Sequence, residues 1–336
     1  SAPRHAAAWP GDPVPGPPPP GAAVSAPRII VLGGGLAGLS AAIACVDAGA
    51  CVTLLEARTR LGGATWSTRR FGLEIDNGQH VFLRCFDSYR GFLRRLGVED
   101  RVTLQPRLAV PVAAPGRPRA WIRRHRLPSP AHLAPSLLRF RHLEPAERLR
   151  AARSARRLAA LDLADSRLDA HRFGDWLAEQ GESPAAIERF WDLLIRPTLN
   201  LPAADASLLL AAVVCQKGLL GDPAAGDIGW AKLPLGRIHG EPAEALLRAA
   251  GARLHLRSPV DRLECTGDGS PAACPAVWVR GQRLEAEAVI LATPYREAAR
   301  LLPPAAGVDC DGLRRLGRSP IVNLHVVFDR PVLDLP

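Results

Sequence analysis

Apolar and polar positions along this chain repeat with a period that changes several times. Arg28–Leu32 (RIIVL) is a short aliphatic run of strand length, and from Leu36 to Ala48 the apolar residues fall at helical spacing. Gly49 stops that helix, and Cys51–Leu55 (CVTLL) reads as a second strand. Residues 140–220 read as helices. Ser183 with Pro184 is an N-cap and first-turn pair for PAAIERFWDLLI, and Pro197 falls just beyond that helix. Asp205 or Ser207 starts SLLLAAVVCQKGLL, which Gly221 ends. From 251 the pattern turns to strands over ARLHLRSPVDRLEC, AVWVRGQRLEA and EAVILAT, and 321–332 (IVNLHVVFDRPV) alternates like an antiparallel strand. No apolar run reaches the roughly 18 residues that a membrane-spanning helix needs.

Strand, helix, strand and then helices followed by strands point to an α/β chain. Its 336 residues, 47% of them hydrophobic, are enough for two domains. The first 27 residues are rich in proline and glycine and lack the apolar core of a signal peptide, so they read as a disordered or polyproline-like tail. Seven cysteines, an odd number without any C-x-x-C pair, suit a reducing cytoplasm and argue against a zinc site or a disulfide framework.

Charge changes the picture locally. The chain carries +10, yet residues 106–160 alone hold thirteen arginines, no lysine and two acids, Glu144 and Glu147. The positive surface therefore belongs to one segment. It carries no RNP, helix-turn-helix or zinc-finger pattern, which argues against nucleic acid. WIRRHRLPSPAHLAPSLLRFRHL (121–143) interleaves arginine with Trp121, Leu133, Leu137, Leu138 and Phe140, as a segment lying on an anionic membrane does. A solvated basic face of a helical domain is the alternative.

The candidate chemistry begins at the first strand–helix junction. Gly33-Gly34-Gly35-Leu36-Ala37-Gly38 satisfies G-x-G-x-x-G after a strand and at the opening of a helix. Gly33 allows the tight turn, Gly35 lets the backbone approach a pyrophosphate, and Gly38 lets helix and strand pack closely. The helix N-terminus offers free N–H groups to the phosphates. Glu56 closes the second strand where an acid binds the adenosine ribose, and its charge disfavours a 2′-phosphate. Arg58, Arg60, Gly62 and Gly63 follow at once, and then FGLEIDNGQHVF (71–82). Two more close backbone approaches and a D-x-G-x-H cluster ask for a ligand longer than NAD requires.

These motifs resemble the FAD-binding start of the amine oxidase and phytoene desaturase superfamily. VLGGGLAGLSAA, VTLLEARTRLGGATWS, LEIDNGQHVFLRCF, FLRRLGVEDRV, WDLLIRPTLNLPAADAS and AVILATPYREAARLL together resemble the hydroxysqualene dehydroxylase family over roughly 28–330. The resemblance implies a Rossmann-like FAD-binding domain of the GR2 type with an inserted α+β substrate domain. It divides the chain into a first FAD part (28–105), a mostly helical substrate or membrane-facing domain (106–235), a second FAD part (236–300) and the start of a substrate-domain sheet (301–336). It also implies a further glycine-containing FAD segment that the chain lacks, so the chain reads as truncated. By resemblance the FAD contacts are Gly33, Gly35, Leu36, Ala37, Gly38, Glu56, Ala57, Arg58, Gly62, Gly63, Asp76, Gly78, the Val260 backbone, and Thr293 in LATP (291–294). No metal is implied.

The implied reaction replaces the allylic hydroxyl of hydroxysqualene by hydrogen to give squalene, with reduced FAD as hydride source and acid assistance to expel water. His80 is the candidate proton donor, because its intrinsic pKa lies near working pH, or else it only hydrogen-bonds backbone or flavin. Asp76 reads as a turn-forming residue ahead of Gly78, and Asp192 and Lys217 are remoter candidates. Trp191, Leu194, Leu199 and Leu209 either line an apolar pocket or belong to ordinary core. Two other readings stand beside the dehydroxylase. One is an FAD-dependent carotenoid-type desaturase or amine oxidase, and the other a non-catalytic lipid-binding remnant. The electron donor has no signature, since no second nucleotide-binding unit is visible. The implied location is cytoplasmic and peripheral, on the inner face of a bacterial inner membrane.

Overall fold

Ile30, Val31 and Leu32 are all buried because strand β1 (Arg28–Leu32) runs through the middle of a parallel sheet covered on both faces. The structure, a computed structural model, describes residues 26–265 and 275–332. The tail up to residue 25 and Cys274 lie outside them. The described residues form two compact units: those up to Gln79, Gly91–Arg101 and those from Ala231 to Arg318 make the first; His80–Arg90, Val102–Trp230 and those from Ser319 onward make the second.

In the first unit, β1 pairs with β2 (Cys51–Leu55) on one side and with the strand Ala288–Leu291 on the other. The strand Arg253–His255 lies outside β2, and all pairs are parallel. The strand period of two sorts β1 between two cores. Val31 packs with Leu39, Ala42 and Ile43 of helix α1 (Leu36–Asp47) and with Ala243 and Leu247 of the helix Gly240–Ala249. Ile30 and Leu32 face the other way, onto Val277, Val279 and Leu284 of an antiparallel sheet built from Arg262–Glu264, Ala276–Val279 and Gln282–Glu285. The expected first strand, helix and second strand are thus present, with α1 ending one residue early.

The second unit is mainly helical. Its core gathers Phe140, Leu158, Phe173, Leu177, Trp191 and Ile195. Phe173 and Phe190 meet Trp191 edge-on, with centroids 5.5 and 5.3 Å away. Ser183 caps as expected, its hydroxyl accepting from the Ala186 amide at 3.1 Å. Of the two candidate starts for the next helix, Ser207 is the cap, accepting from Leu210 N–H at 3.3 Å.

Two expectations fail. Pro197 lies inside the helix Asp192–Leu199, not beyond it. A wider π turn over Ile187–Trp191 resets the helix just upstream, and the helix continues past a proline that cannot donate to the Leu193 carbonyl. Second, 321–332 forms no strand. A strand needs a hydrogen-bonded neighbour, and none pairs with it among the described residues; Val322 and Leu324 are exposed.

One buried charge ties the ends of this unit's β structure together. Asp227 is fully buried and accepts from Arg124 Nε (2.6 Å) and Nη2 (2.8 Å), from Arg84 Nε (3.0 Å) and from the Leu108 amide (2.7 Å). Leu108 and Arg124 flank the hairpin Ala109–Val112/Ala120–Arg123, and Arg84 follows the strand Val81–Leu83. Burial alone would raise the Asp227 pKa, but Arg124, the Leu108 amide and Arg84 outweigh it and hold the carboxyl below its ordinary 3.8. The carboxylate therefore stabilises the fold at neutral pH, and that contribution is lost as pH falls through the depressed folded-state value. Replacing Asp227 by Asn is expected to cost about 3 kcal/mol at pH 7. The gap to the unmodified chain should shrink as pH drops below about 4, which urea unfolding across the acid range measures.

Candidate functional site

Gly34 is the meeting point of the two glycine stretches. Its N–H donates to Glu56 Oε2 at 2.7 Å, and its carbonyl accepts from the Gly62 amide at 2.8 Å. The other Glu56 oxygen accepts from Arg58 N–H at 2.7 Å, and the carboxylate is buried at 7% exposure. A side chain at Gly34 would strike Leu61 Cδ2 at 2.5 Å, and one at Gly63 would strike the Gly35 Cα at 2.8 Å. Gly33 and Gly63 also have positive φ (+103° and +57°). Gly38 packs so close that a Cβ would lie 1.8 Å from the Gly33 carbonyl oxygen. The glycines thus serve backbone contact with backbone, leaving a groove floored by main chain.

This groove lies where strand ends converge. Gly33 follows β1, Glu56 follows β2, Val260 lies beyond Arg253–His255, and Thr293 lies two residues beyond the strand Ala288–Leu291. Because β1 has β2 on one side and Ala288–Leu291 on the other, the loops leaving the sheet diverge there, as at the switch point of doubly wound sheets. Helix α1 opens at Gly35 with no side-chain cap and no acid in its first turn, so its amides have no side-chain partner there. Leu36 is half-buried and Ala37 exposed in that turn, and Ala57 and Arg58 are exposed beyond Glu56.

Three observations fit a flavin dinucleotide. A carboxylate has about four acceptor positions, and Glu56 uses one on each oxygen for an amide, leaving capacity for two hydroxyls. The Thr293 hydroxyl is buried without a hydrogen-bond partner among the described residues. So is Arg60 Nε, while the Arg60 guanidinium is stacked 4.0 Å over the Trp66 ring. Buried polar groups are normally paired, and these two, one beyond the end of the strand Ala288–Leu291 and one between the two glycine stretches, lie where a dinucleotide would offer acceptors. Sequence reasoning left Arg60 as a flanking charge. Its i+6 aromatic partner, Trp66, was the available signal.

Asp76, Gly78 and His80 divide. Asp76 does not make a local turn: Oδ1 accepts from Ser67 Oγ (2.6 Å) and from the Leu235 amide (3.0 Å). Helix Leu235–Ile238 follows Pro234 and has no capping side chain of its own, so it borrows this carboxylate and the Ser67 hydroxyl, which accepts from Gly236 N–H at 3.0 Å. Gly78 is buried with φ +98° in the same unit. His80 is half-buried and opens the second unit, directly before Val81–Leu83. Asp192 is occupied by structure, accepting from the Ala203 amide at 2.6 Å and pairing with Arg196, and Lys217 is exposed.

The second unit encloses a cavity of about 330 Å³, at the lower end of ligand-pocket volumes. Phe140, Phe190, Trp191, Leu194, Leu220 and Cys215 line it, and Arg156 is its one charged lining residue. Burial pushes the Cys215 thiol up to about 12, so it is a neutral wall group. Trp191 and Leu194 belong to cavity and core at once; Leu199 packs on the core, and Leu209 is half-buried outside the cavity lining. No helix among the described residues is long and apolar enough to cross a membrane.

Known proteins resemble this chain in sequence and in fold. A 15-cis-phytoene desaturase of Glycine max is 25% identical over 322 residues, covering 90% of this chain and 54% of its own length. A hydroxysqualene dehydroxylase of Zymomonas mobilis is 28% identical over 311 residues, covering 91% of this chain and 69% of that protein. The chain thus spans about half the length of several curated relatives it matches. Among solved structures, a putrescine oxidase bound to putrescine shares the fold with a TM-score of 0.60 at 21% identity, over 83% of this chain and 60% of its own. An oxidoreductase of Methanosarcina mazei gives 0.61 at 18%, over 86% and 65%. The fold is the α/β FAD-binding fold and the cofactor is FAD. A family model matches residues 36–336, and on that match the chain belongs to the flavin containing amine oxidoreductase family.

Proposed function

We propose that this chain is the FAD-holding part of an oxidoreductase that acts on a long apolar isoprenoid, and that its reaction removes the allylic hydroxyl of hydroxysqualene to give squalene. The cavity of the second unit carries the reading. Apart from Arg156 its lining has no charged group, so a hydrocarbon chain is at home there and a cationic amine would find no carboxylate. The hydroxysqualene dehydroxylase relative, matched along 91% of this chain, supports the choice of reaction. Phytoene desaturases match 90% of it equally well, so a desaturase acting on a similar hydrocarbon is the second reading. A remnant that holds lipid without turnover is the third.

FAD, when bound and reduced by a separate two-electron donor, would supply the hydride that replaces the lost hydroxyl, and would be left oxidised. Glu56 receives the ribose hydroxyls on the lone pairs that Gly34 and Arg58 leave free. The amides of Gly35, Leu36, Ala37 and Gly38 meet the pyrophosphate at the mouth of α1. Gly62, Gly63 and Gly78 keep the main chain close to the cofactor, while Ala57 and Arg58 border its ribose. Thr293 and Arg60 satisfy their orphaned groups on it, Arg60 held flat by Trp66. The Val260 carbonyl accepts from Arg300 Nη2 at 2.7 Å, and its N–H and second carbonyl lone pair are the backbone groups offered to the adenine. Asp76 acts at one remove, fixing the segment that carries Gly78. His80 donates the proton that lets the hydroxyl leave as water. The work is placed at the inner face of a bacterial inner membrane, where such a substrate dissolves.

Glu56→Gln presents an amide NH2 where two backbone donors converge and is expected to weaken FAD binding roughly 10- to 100-fold. Gly63→Ala should do likewise through its clash with Gly35. Flavin absorbance of the purified chains, beside circular dichroism for fold, measures both. A flavin-free spectrum in the unmodified chain would instead favour the remnant. Dithionite-reduced protein with hydroxysqualene should yield squalene by gas chromatography. Turnover of phytoene under oxidising conditions, with no squalene formed, would favour the desaturase. His80→Gln should lower kcat roughly 100-fold with little change in KM; an unchanged kcat removes His80 from the chemistry.

A further inference from the structure

The thirteen arginines of 106–160 do not act as one surface. Arg124 is consumed by Asp227. Arg148 donates to the carbonyls of Leu143 and Leu138 (both 2.9 Å), Arg123 stacks 3.6 Å over Trp121, and Arg157 pairs with Gln180. Arg153 and Arg156, by contrast, are exposed and take no ion pair or hydrogen bond among the described residues. They lie on the helix Pro145–Ala159. At positions i, i+3, i+4 and i+7, Leu149, Ala152, Arg153 and Arg156 share one face of it.

That face is also the cavity's rim. Of the lining residues, Pro130, Ala131, Ala134, Ala152 and Arg156 are exposed, whereas Phe140, Trp191 and Cys215 are buried. The mouth therefore opens between the segment 130–138, which ends in the helix Ala134–Leu138, and the helix Pro145–Ala159, and Arg148 ties the two helices together through the Leu138 carbonyl. Beside the mouth stand two bare leucines, Leu138 at 67% and Leu149 at 52% exposure. Apolar side chains next to unpaired arginines at the entrance of an apolar cavity match a lipid interface, with hydrocarbon inside and phosphate at the margin. The segment's two acids do not oppose this, because Glu144 and Glu147 are engaged in a capping box and Glu147 also accepts from Ser183 Oγ at 2.7 Å.

We propose that the second unit docks on an anionic bilayer through this rim, Leu138 and Leu149 entering the acyl region and Arg153 and Arg156 meeting lipid phosphates, so that the apolar ligand passes into the cavity straight from the membrane. The proposal deepens the isoprenoid reading and rests on it for the ligand, while the docking itself requires no turnover. Arg107, Arg119, Arg126 and Arg141 are likewise exposed without a partner among the described residues, but Arg153 and Arg156 are the two that share the rim face of the helix Pro145–Ala159.

Co-sedimentation of the FAD-loaded chain with vesicles tests it without substrate. Vesicles containing phosphatidylglycerol should bind the chain, and pure phosphatidylcholine should bind it far less. Arg153→Gln with Arg156→Gln is expected to weaken binding roughly 20-fold, and Leu138→Ser with Leu149→Ser roughly 10-fold or more. Arg69→Gln with Arg70→Gln, the same charge loss at exposed positions of the first unit, should leave binding nearly unchanged. Equal binding to both vesicle types overturns the proposal, as does undiminished binding by the rim variants or an equal loss in the Arg69/Arg70 control. Each variant is checked for retained flavin absorbance and thermal unfolding, so a misfolded chain is not counted. Loss of squalene formation with vesicle binding intact would strike the proposed reaction and not the docking.

Discussion

The peptide group of Gly34 is the constraint on which the nucleotide site depends. Its N–H is held by the Glu56 carboxylate and its carbonyl by the Gly62 amide, so a loop after β1 and a loop after β2 are fixed through one residue. Neither bond tolerates a side chain there, since Leu61 already fills the space. The acid therefore has two duties. It shapes the loop through a charge-assisted bond, stronger than a neutral one, and it keeps lone pairs facing the groove. The second glycine pair follows from the same clamp: Gly62 reaches Gly34 only by a turn with φ +100°, and Gly63 must then pass the Gly35 Cα.

The second unit is held by different physics. Its β segments converge on Asp227, a charge that costs much to bury and is tolerated because four donors surround it. Its helices converge on Phe173, Phe190 and Trp191, whose edge-on contacts leave a void beside them. Close packing normally removes such space. Here the wall is rigid aromatic on one side and small on the other, with Ala134, Ala152 and Ala155 at positions where larger residues would close it.

Much of the first unit was legible because its residues answer to backbone geometry. Positive φ and sub-van der Waals approaches admit only glycine, so Gly33, Gly38, Gly62 and Gly63 announce themselves by spacing. Caps behave similarly, and Ser183 was readable from its neighbour Pro184. Features set by tertiary partners were not. Asp76 looks like a local turn former because nothing near it in sequence reveals Leu235, a helix start 159 residues away. Arg60 looks like a surface charge until Trp66 is folded over it. Pro197 looks like a terminator because a π turn leaves no sequence signature. The alternating 321–332 run shows that a strand pattern is a statement about faces, while a strand also needs a neighbour.

The same asymmetry explains why cofactor and substrate are known to different depths. A dinucleotide is recognised by main-chain amides at a few fixed positions, which glycine spacing alone marks in a sequence. An apolar chain is recognised by volume and by the absence of polar groups, which many combinations of Leu, Ala and Phe satisfy equally. Sequence likeness therefore converges on FAD long before it separates a desaturase from a dehydroxylase. What does separate them is the few polar atoms allowed near the hydrocarbon. In this chain the cavity offers one guanidinium, at its rim, a Ser136 hydroxyl that already donates to the Trp121 carbonyl at 2.6 Å, and a thiol that burial keeps neutral. None of these groups supplies a proton readily at neutral pH, so a reaction that must expel water has to find its acid outside the cavity wall.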